Sequence, residues 1–160
     1  MNILKALFVT AVLGFSLNGY ALDDDSYMEL SSALSEGKMK VVKKYMEADP
    51  KLVKERFFGW EPLQMAAKEG HLEVVKYLVS KGADKNYIHP VSYMTAFHLA
   101  ALENHPEVVK YLAKEGADIN IKLKADVSII RAVRDFGSPD MVELLLSMGV
   151  KDDGCKEECF

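Results

Sequence analysis

The residues with chemistry to offer are few: His71, His89, His98, His105 and one cysteine pair, Cys155 and Cys159. A metal centre needs several such groups to converge with carboxylates or thiols. His71 and His105 open near-identical text, HLEVVKYL and HPEVVKYL, so their recurrence points to architecture rather than to a reaction. No carboxylate or thiol is placed by sequence to complete a ligand set with them. His89 lies beside Pro90 in a loop, free to bind something, although a lone loop histidine is ordinarily just solvated. The chain has no C-x-x-C-H for haem attachment, no H-E-x-x-H and no glycine-rich phosphate loop. Its serines have no nucleophile elbow around them. No catalytic residues, no metal site and no cofactor are expected, and the chain is not read as an enzyme.

The elements that carry these side chains are periodic. HLEVVKYLVSKGADKN, from His71, returns as HPEVVKYLAKEGADIN from His105, and SPDMVELLLSMGV from Ser138 is a third version. Gly82, Gly116 and Gly149 stand 34 and 33 residues apart. A worn copy, LSSALSEGKMKVVKKYMEADP, precedes them, with Gly37 lying 33 residues before Gly70. Self-similarity at this period signals a stacked array. Each unit reads as two short antiparallel helices, too small to bury an apolar face alone. Val74, Val75, Leu78 and Val79 form one apolar stripe, repeated by Val108, Val109 and Leu112 and by Met141, Val142, Leu145 and Leu146. Ala66, Ala67, Ala100 and Ala101 are small where neighbouring helices must approach closely. Ser26-Tyr27-Met28-Glu29 fits a capping box, Pro62, Pro106 and Pro139 suit first-turn positions, and the three glycines suit helix stops.

The residues at the head of each unit carry a family resemblance. TAFHLAA at Thr95–Ala101 resembles the T-P-L-H-x-A-A signature of ankyrin repeats, and EPLQMAA at Glu61–Ala67 is a second match. Gly70-His71 and the GADIN run at Gly116–Asn120 extend it. The first unit lacks the signature and the fourth has Ser128-Ile129-Ile130-Arg131 in its place, departures suited to terminal, capping repeats. The resemblance implies an all-α solenoid of about four repeats, near 26–55, 56–88, 89–121 and 122–152, within a domain spanning 22–152. It also implies that His98 bonds within its own turn.

The N-terminus matches no repeat. MNILKALFVTAVLGFSLNGYALDDD has an early Lys5, an apolar run from Ala6 to Leu17, and small residues at Gly19 and Ala21. That is the plan of a secretory signal peptide over residues 1–21, its brevity of bacterial type, and the apolar run is short for a membrane span of about 20 residues. The expected mature chain is periplasmic or secreted, with no stable membrane insertion. Formal net charge is −4, and losing the leader takes Lys5 with it and leaves −5. No basic run is long enough for a nucleic-acid stripe. In an exported chain Cys155 and Cys159, in the tail 153–160, favour a disulfide of modest effect, about 2 kcal/mol. Intermolecular bonding and a redox role are the alternatives.

What remains is surface. Ankyrin proteins commonly bind other proteins with the finger loops between repeats and the exposed face of the first helices. By position, the resemblance places contact residues at Phe57, Phe58, Trp60, Lys68 and Glu69, then near Ser92, Met94, Leu102 and Glu103, and finally at Lys124, Ala125, Val127, Asp135 and Phe136. Aromatics weigh heavily at interfaces, so RFFGWEP is the most informative text outside the repeats. The next finger, YIHPVSYM, adds Tyr87, Tyr93 and Met94. Lys40, Lys43, Lys76, Lys110 and Lys114, beside Glu73, Glu107 and Glu143, read as a solvated outer face. The leading expectation is an exported, non-catalytic module that binds another protein, such as a toxin it neutralises or a neighbouring enzyme such as a catalase. The alternative is a haem or metal carrier using His89, Tyr87 and Tyr93.

Overall fold

The structure is a computed structural model that describes residues 22–136 and 138–154. The expected signal peptide and the Cys155–Cys159 pair lie outside the described residues. Among the described residues eight α-helices run in pairs: α1 (Asp24–Glu36) with α2 (Met39–Ala48), α3 (Pro62–Lys68) with α4 (Leu72–Ser80), α5 (Ala96–Leu102) with α6 (Pro106–Lys114), and α7 (Ile129–Asp135) with α8 (Pro139–Ser147). Short 3-10 turns at Pro50–Lys54 and Lys124–Asp126 lie in the connections. The first helices stack as an inner row, α1 on α3 on α5 on α7, and α2, α4 and α6 stack behind them. None of the described helices is long and apolar enough to cross a membrane.

The helix ends follow from local chemistry. Pro62, Pro106 and Pro139 are each the first helical residue, where a missing N–H costs nothing. The first helix begins earlier than the Ser26 capping box predicts. Its cap is Asp23, whose carboxylate accepts from Ser26 N at 2.7 Å. A carboxylate is favoured there by the positive end of the helix, and Asp24 and Asp25 occupy the same first turn.

Between repeats the stitching is polar and recurrent. His71 Nε2 meets the Ser35 carbonyl at 2.8 Å, and His105 Nε2 meets the Lys68 carbonyl at 2.8 Å. These rings explain two glycines. A Cβ at Gly37 would lie 2.6 Å from His71 Nδ1, and one at Gly70 would lie 2.4 Å from His105 Nδ1. The third equivalent position is Asn104, at φ 59°. It has a side chain because its neighbour in the next repeat is Ser138, which donates to Asn104 Oδ1 at 3.1 Å. Asn86 and Asn120 complete the stitching, accepting from Asp118 N and Lys151 N at 2.8 Å.

The core runs through all four units. Leu30, Leu34, Leu63, Leu78, Leu112, Ile130 and Leu145 are fully buried, as are Ala66, Ala67, Ala100 and Ala101 on the inner row. Ala100→Trp should therefore destabilise the domain by roughly 1–3 kcal/mol or more, because a close-packed contact cannot absorb an indole. Unchanged urea unfolding would show that Ala100 does not face the next repeat. The second-helix stripe weakens in α8, where Val142 is half-buried and Leu146 is 49% exposed at the end of the described stack.

Candidate functional site

The site grows from the first finger. Phe57 and Trp60 exchange backbone hydrogen bonds of 2.8 and 2.9 Å across Phe58 and Gly59. Those two turn residues have φ of 53° and 89°, the left-handed pair of a tight hairpin turn. The hairpin sends neighbouring aromatics to different places. Phe57 goes inward, fully buried, its ring 4.8 Å from that of Tyr27. This corrects the sequence reading of Phe57 as a contact residue. Phe58 points out, 65% exposed, held by its backbone N–H donating to Tyr27 Oη at 2.7 Å.

Trp60 is half-buried and stacks on His89, with ring centroids 3.9 Å apart and 15° between planes. His89 is thus neither solvated nor free. It is 7% exposed. Its Nδ1 accepts from Val91 N at 3.3 Å and Ser92 N at 3.1 Å, with Ser92 Oγ also at 3.1 Å. Two backbone donors at Nδ1 leave the ring proton on Nε2, and that nitrogen packs against Gly59, where an added Cβ would lie 3.0 Å away. An axial haem or metal ligand needs an open nitrogen, which His89 does not offer. Tyr87 is half-buried under the Arg56 guanidinium, 5.4 Å from its ring, and Tyr93 is exposed at the finger tip. The residues of the carrier reading do not form a ligand set, and no cluster of three or more potential metal ligands occurs among the described residues.

Two polar side chains fix the fingers onto the helices. His98 is fully buried; its Nδ1 accepts from Thr95 N at 3.1 Å and its Nε2 meets the Ile121 carbonyl at 3.0 Å. Burial holds the imidazole down to about 4, against the opposing pull of the Ile121 bond and of Asp118. Gln64 holds the same place one repeat earlier. It accepts from Glu61 N at 3.1 Å and donates to the Met94 carbonyl at 2.8 Å. Where the later repeats cap their inner helices with Thr95 and Ser128, this one has Glu61, 5% exposed, its Oε2 with no hydrogen-bond partner. Burial pushes this carboxyl up to about 7; Asp84 adds to the rise, and Arg56 and Lys54 oppose it.

Between the fingers and the inner helices lies a groove of about 640 Å³. Trp60, Ser92 and Met94 form its finger side, Gln64, Met65, Lys68 and Glu69 its α3 floor, and Leu99, Leu102 and Glu103 its α5 floor, with Ser35 and Phe136 at its ends. Of the residues expected from sequence, the groove gathers Trp60, Lys68, Glu69, Ser92, Met94, Leu102, Glu103 and Phe136. Phe58 and Tyr93 stand on exposed finger tips, and Tyr87 props the finger from behind. Sequence reasoning missed Met65. It fills the free position of the EPLQMAA motif, where α5 has Leu99, so the available signal was two large apolar residues in register at a position the signature leaves open.

On the outer face Lys76 pairs with Glu73 at 2.7 Å and Lys110 with Glu107 at 3.0 Å, all exposed. Such pairs contribute little, in keeping with a solvated surface. No curated protein matches the chain. The family model for ankyrin repeats (three copies) matches residues 30–122, and the helix pair that follows repeats the same geometry. Ankyrin repeats form protein–protein interaction modules, and with its helix pairs stacked in register the chain belongs to the ankyrin-repeat family.

Proposed function

We propose that this protein is an exported, non-catalytic module that captures another protein in the groove between its fingers and inner helices. The observation that carries the reading is the groove's lining. Trp60, Met65, Met94 and Leu102 come from two successive repeats and present apolar surface on a chain whose outer face is charged. Partly exposed apolar groups gathered in one concavity mark interaction sites. Export is the reading of the N-terminal residues, and it places the partner in the periplasm or outside the cell. A toxin or a neighbouring enzyme of that compartment would suit the module.

The test is site-specific photo-crosslinking in the source cell's envelope fraction. A photoreactive residue at position 102 should give a discrete adduct that mass spectrometry identifies, and the same residue at position 110, on the outer face, should give none. Adducts at 110 but not at 102 would place the partner on the second helices. With the partner in hand, Trp60→Ala should weaken binding by about 2 kcal/mol or more, the scale of an interface hot spot. Because Trp60 also stacks on His89, the same change should lower stability by about 1 kcal/mol, the worth of an aromatic pair. Lys110→Ala should do neither. N-terminal sequencing of the exported product should begin near Leu22, and a retained Met1 on protein in the cytoplasm would contradict export.

A further inference from the structure

The first three inner helices share an end chemistry that their own stability does not call for. Glu36 is the last residue of α1, and Glu69 and Glu103 cap the C-terminal ends of α3 and α5; Phe136 takes the corresponding place on α7. The three carboxylates are exposed. The register that pairs Gly37, Gly70 and Asn104 with the next repeat makes them equivalent, one carboxylate per repeat, and Glu69 and Glu103 line the groove. A helix C-terminus is the negative end of the dipole, where basic side chains stabilise and acidic ones do not. The nearby cations offset this line only in part. Lys38 and Lys68 pair with Glu36 at 2.6 Å and Glu69 at 3.4 Å, and Arg134 turns to Asp152 at 2.8 Å. Glu103 forms no ion pair among the described residues, and the exposed lysine pairs are weak enough to be exchanged.

Resting on the groove reading above, we propose that the groove takes a basic amphipathic helix of the partner protein. The helix lays its apolar face on Trp60, Met65, Met94 and Leu102 and its Lys or Arg residues along the carboxylate line. Charge complementarity selects the basic partner. The floor suits a helix: methionine adapts to side chains of varied shape, and an amphipathic helix in an apolar groove is a recurrent mode of recognition. The spacing agrees. Stacked helices lie roughly 8–10 Å apart. Residues i and i+7 of a helix lie on one face about 10.5 Å apart, so a basic residue every seventh position keeps step with one carboxylate per repeat.

The experiment uses synthetic peptides and the fluorescence of Trp60, the only tryptophan in the chain, with calorimetry in low salt. One peptide carries Lys at i, i+7 and i+14 with Leu and Phe on the adjoining stripe; a second has Glu for Lys; a third keeps the lysines and has Ser for the apolar residues. The first should bind, and each of the others should bind at least about tenfold more weakly. The combined variant Glu36→Gln, Glu69→Gln, Glu103→Gln should lose about tenfold for the first peptide while melting no earlier than the parent. Equal binding of the Glu peptide, unchanged affinity in the triple variant, or no binding of the Lys peptide would each overturn the basic-helix proposal. The Leu102→Arg variant separates this failure from that of the groove. If Lys and Glu peptides bind alike and Leu102→Arg abolishes both, the groove stands and the charge inference falls. If the Lys peptide binds Leu102→Arg undiminished, the groove reading falls as well.

Discussion

Phe57→Ala should cost about 3–5 kcal/mol of stability, the usual loss for deleting a large buried ring, whereas Phe58→Ala should cost no more than about 1 kcal/mol, the worth of an edge contact between aromatics. The two residues are neighbours of one type, and the hairpin separates them. Phe57 has no exposed surface and packs on Tyr27 with a tilted ring. The Phe58 ring meets the same tyrosine only edge-on, at 5.3 Å, and lies mostly in solvent, while the backbone N–H bond to Tyr27 Oη survives its removal. Phe58 also occupies left-handed backbone, at φ 53°, which a bulky residue adopts at a cost. Phe58→Gly should therefore be closer to neutral than Phe58→Ala. Urea unfolding of the three variants is the measurement. Equal losses for Phe57→Ala and Phe58→Ala would mean that the finger does not turn between them.

This pair also shows where the sequence stopped being legible. Phe-Phe-Gly-Trp announces an aromatic finger, but the direction of each ring depends on a two-residue turn and on Tyr27, which lies thirty residues upstream on α1. Periodicity fixes which helix face is buried, because a 3.6-residue repeat leaves little choice. It does not fix the face of a finger residue, where one left-handed residue reverses the side chain. The helices, their proline starts and glycine stops and the alanine contacts were accordingly readable, and Phe57 was not. Neither was His89. A histidine beside a proline looks solvated until the loop folds over it and delivers two backbone N–H groups to Nδ1.

Some of the unread detail was nonetheless written in pairs. Gly37 and Gly70 face His71 and His105, while Asn104 faces Ser138. Within one chain, the residue that ends each inner helix varies together with the residue that begins the next repeat's outer helix. The physical cause is the ring, which fills the space of a Cβ. The repeat spacing shows the positions, but only the stacked geometry shows that they touch. The groove was legible to the same degree. Trp60, Met94, Lys68 and Leu102 follow from register, and Met65 needed the observation that a large residue recurs where the signature leaves the choice open.

Glu61 is the position at which this stack departs most from its own pattern, and Glu61→Gln should stabilise the protein by about 2–3 kcal/mol at pH 8. The sign follows from the two states. In the unfolded chain the carboxyl titrates near 4.5, and in the fold burial pushes it up to about 7. The folded state therefore holds a proton that the unfolded state has released. Below about pH 4.5 both states are protonated and Glu61 has no effect on stability. Between 4.5 and 7 a penalty accumulates as ionisation becomes easier in the unfolded chain, and above 7 it is complete. The parent should lose stability relative to the Gln variant across that window and run parallel to it outside. His98, held down to about 4 by burial, destabilises the fold as pH falls below its ordinary 6.5, but it is common to both proteins and cancels in the difference. Glu61→Thr should share the gain, because a threonine hydroxyl can cap α3 as Thr95 and Ser128 cap α5 and α7 without burying a carboxylate. Denaturant unfolding of parent and variant at pH 4, 6 and 8 is the measurement. A stability difference that does not change with pH would show that the Glu61 carboxylate finds a partner in solution and that its buried Oε2 is not an orphan.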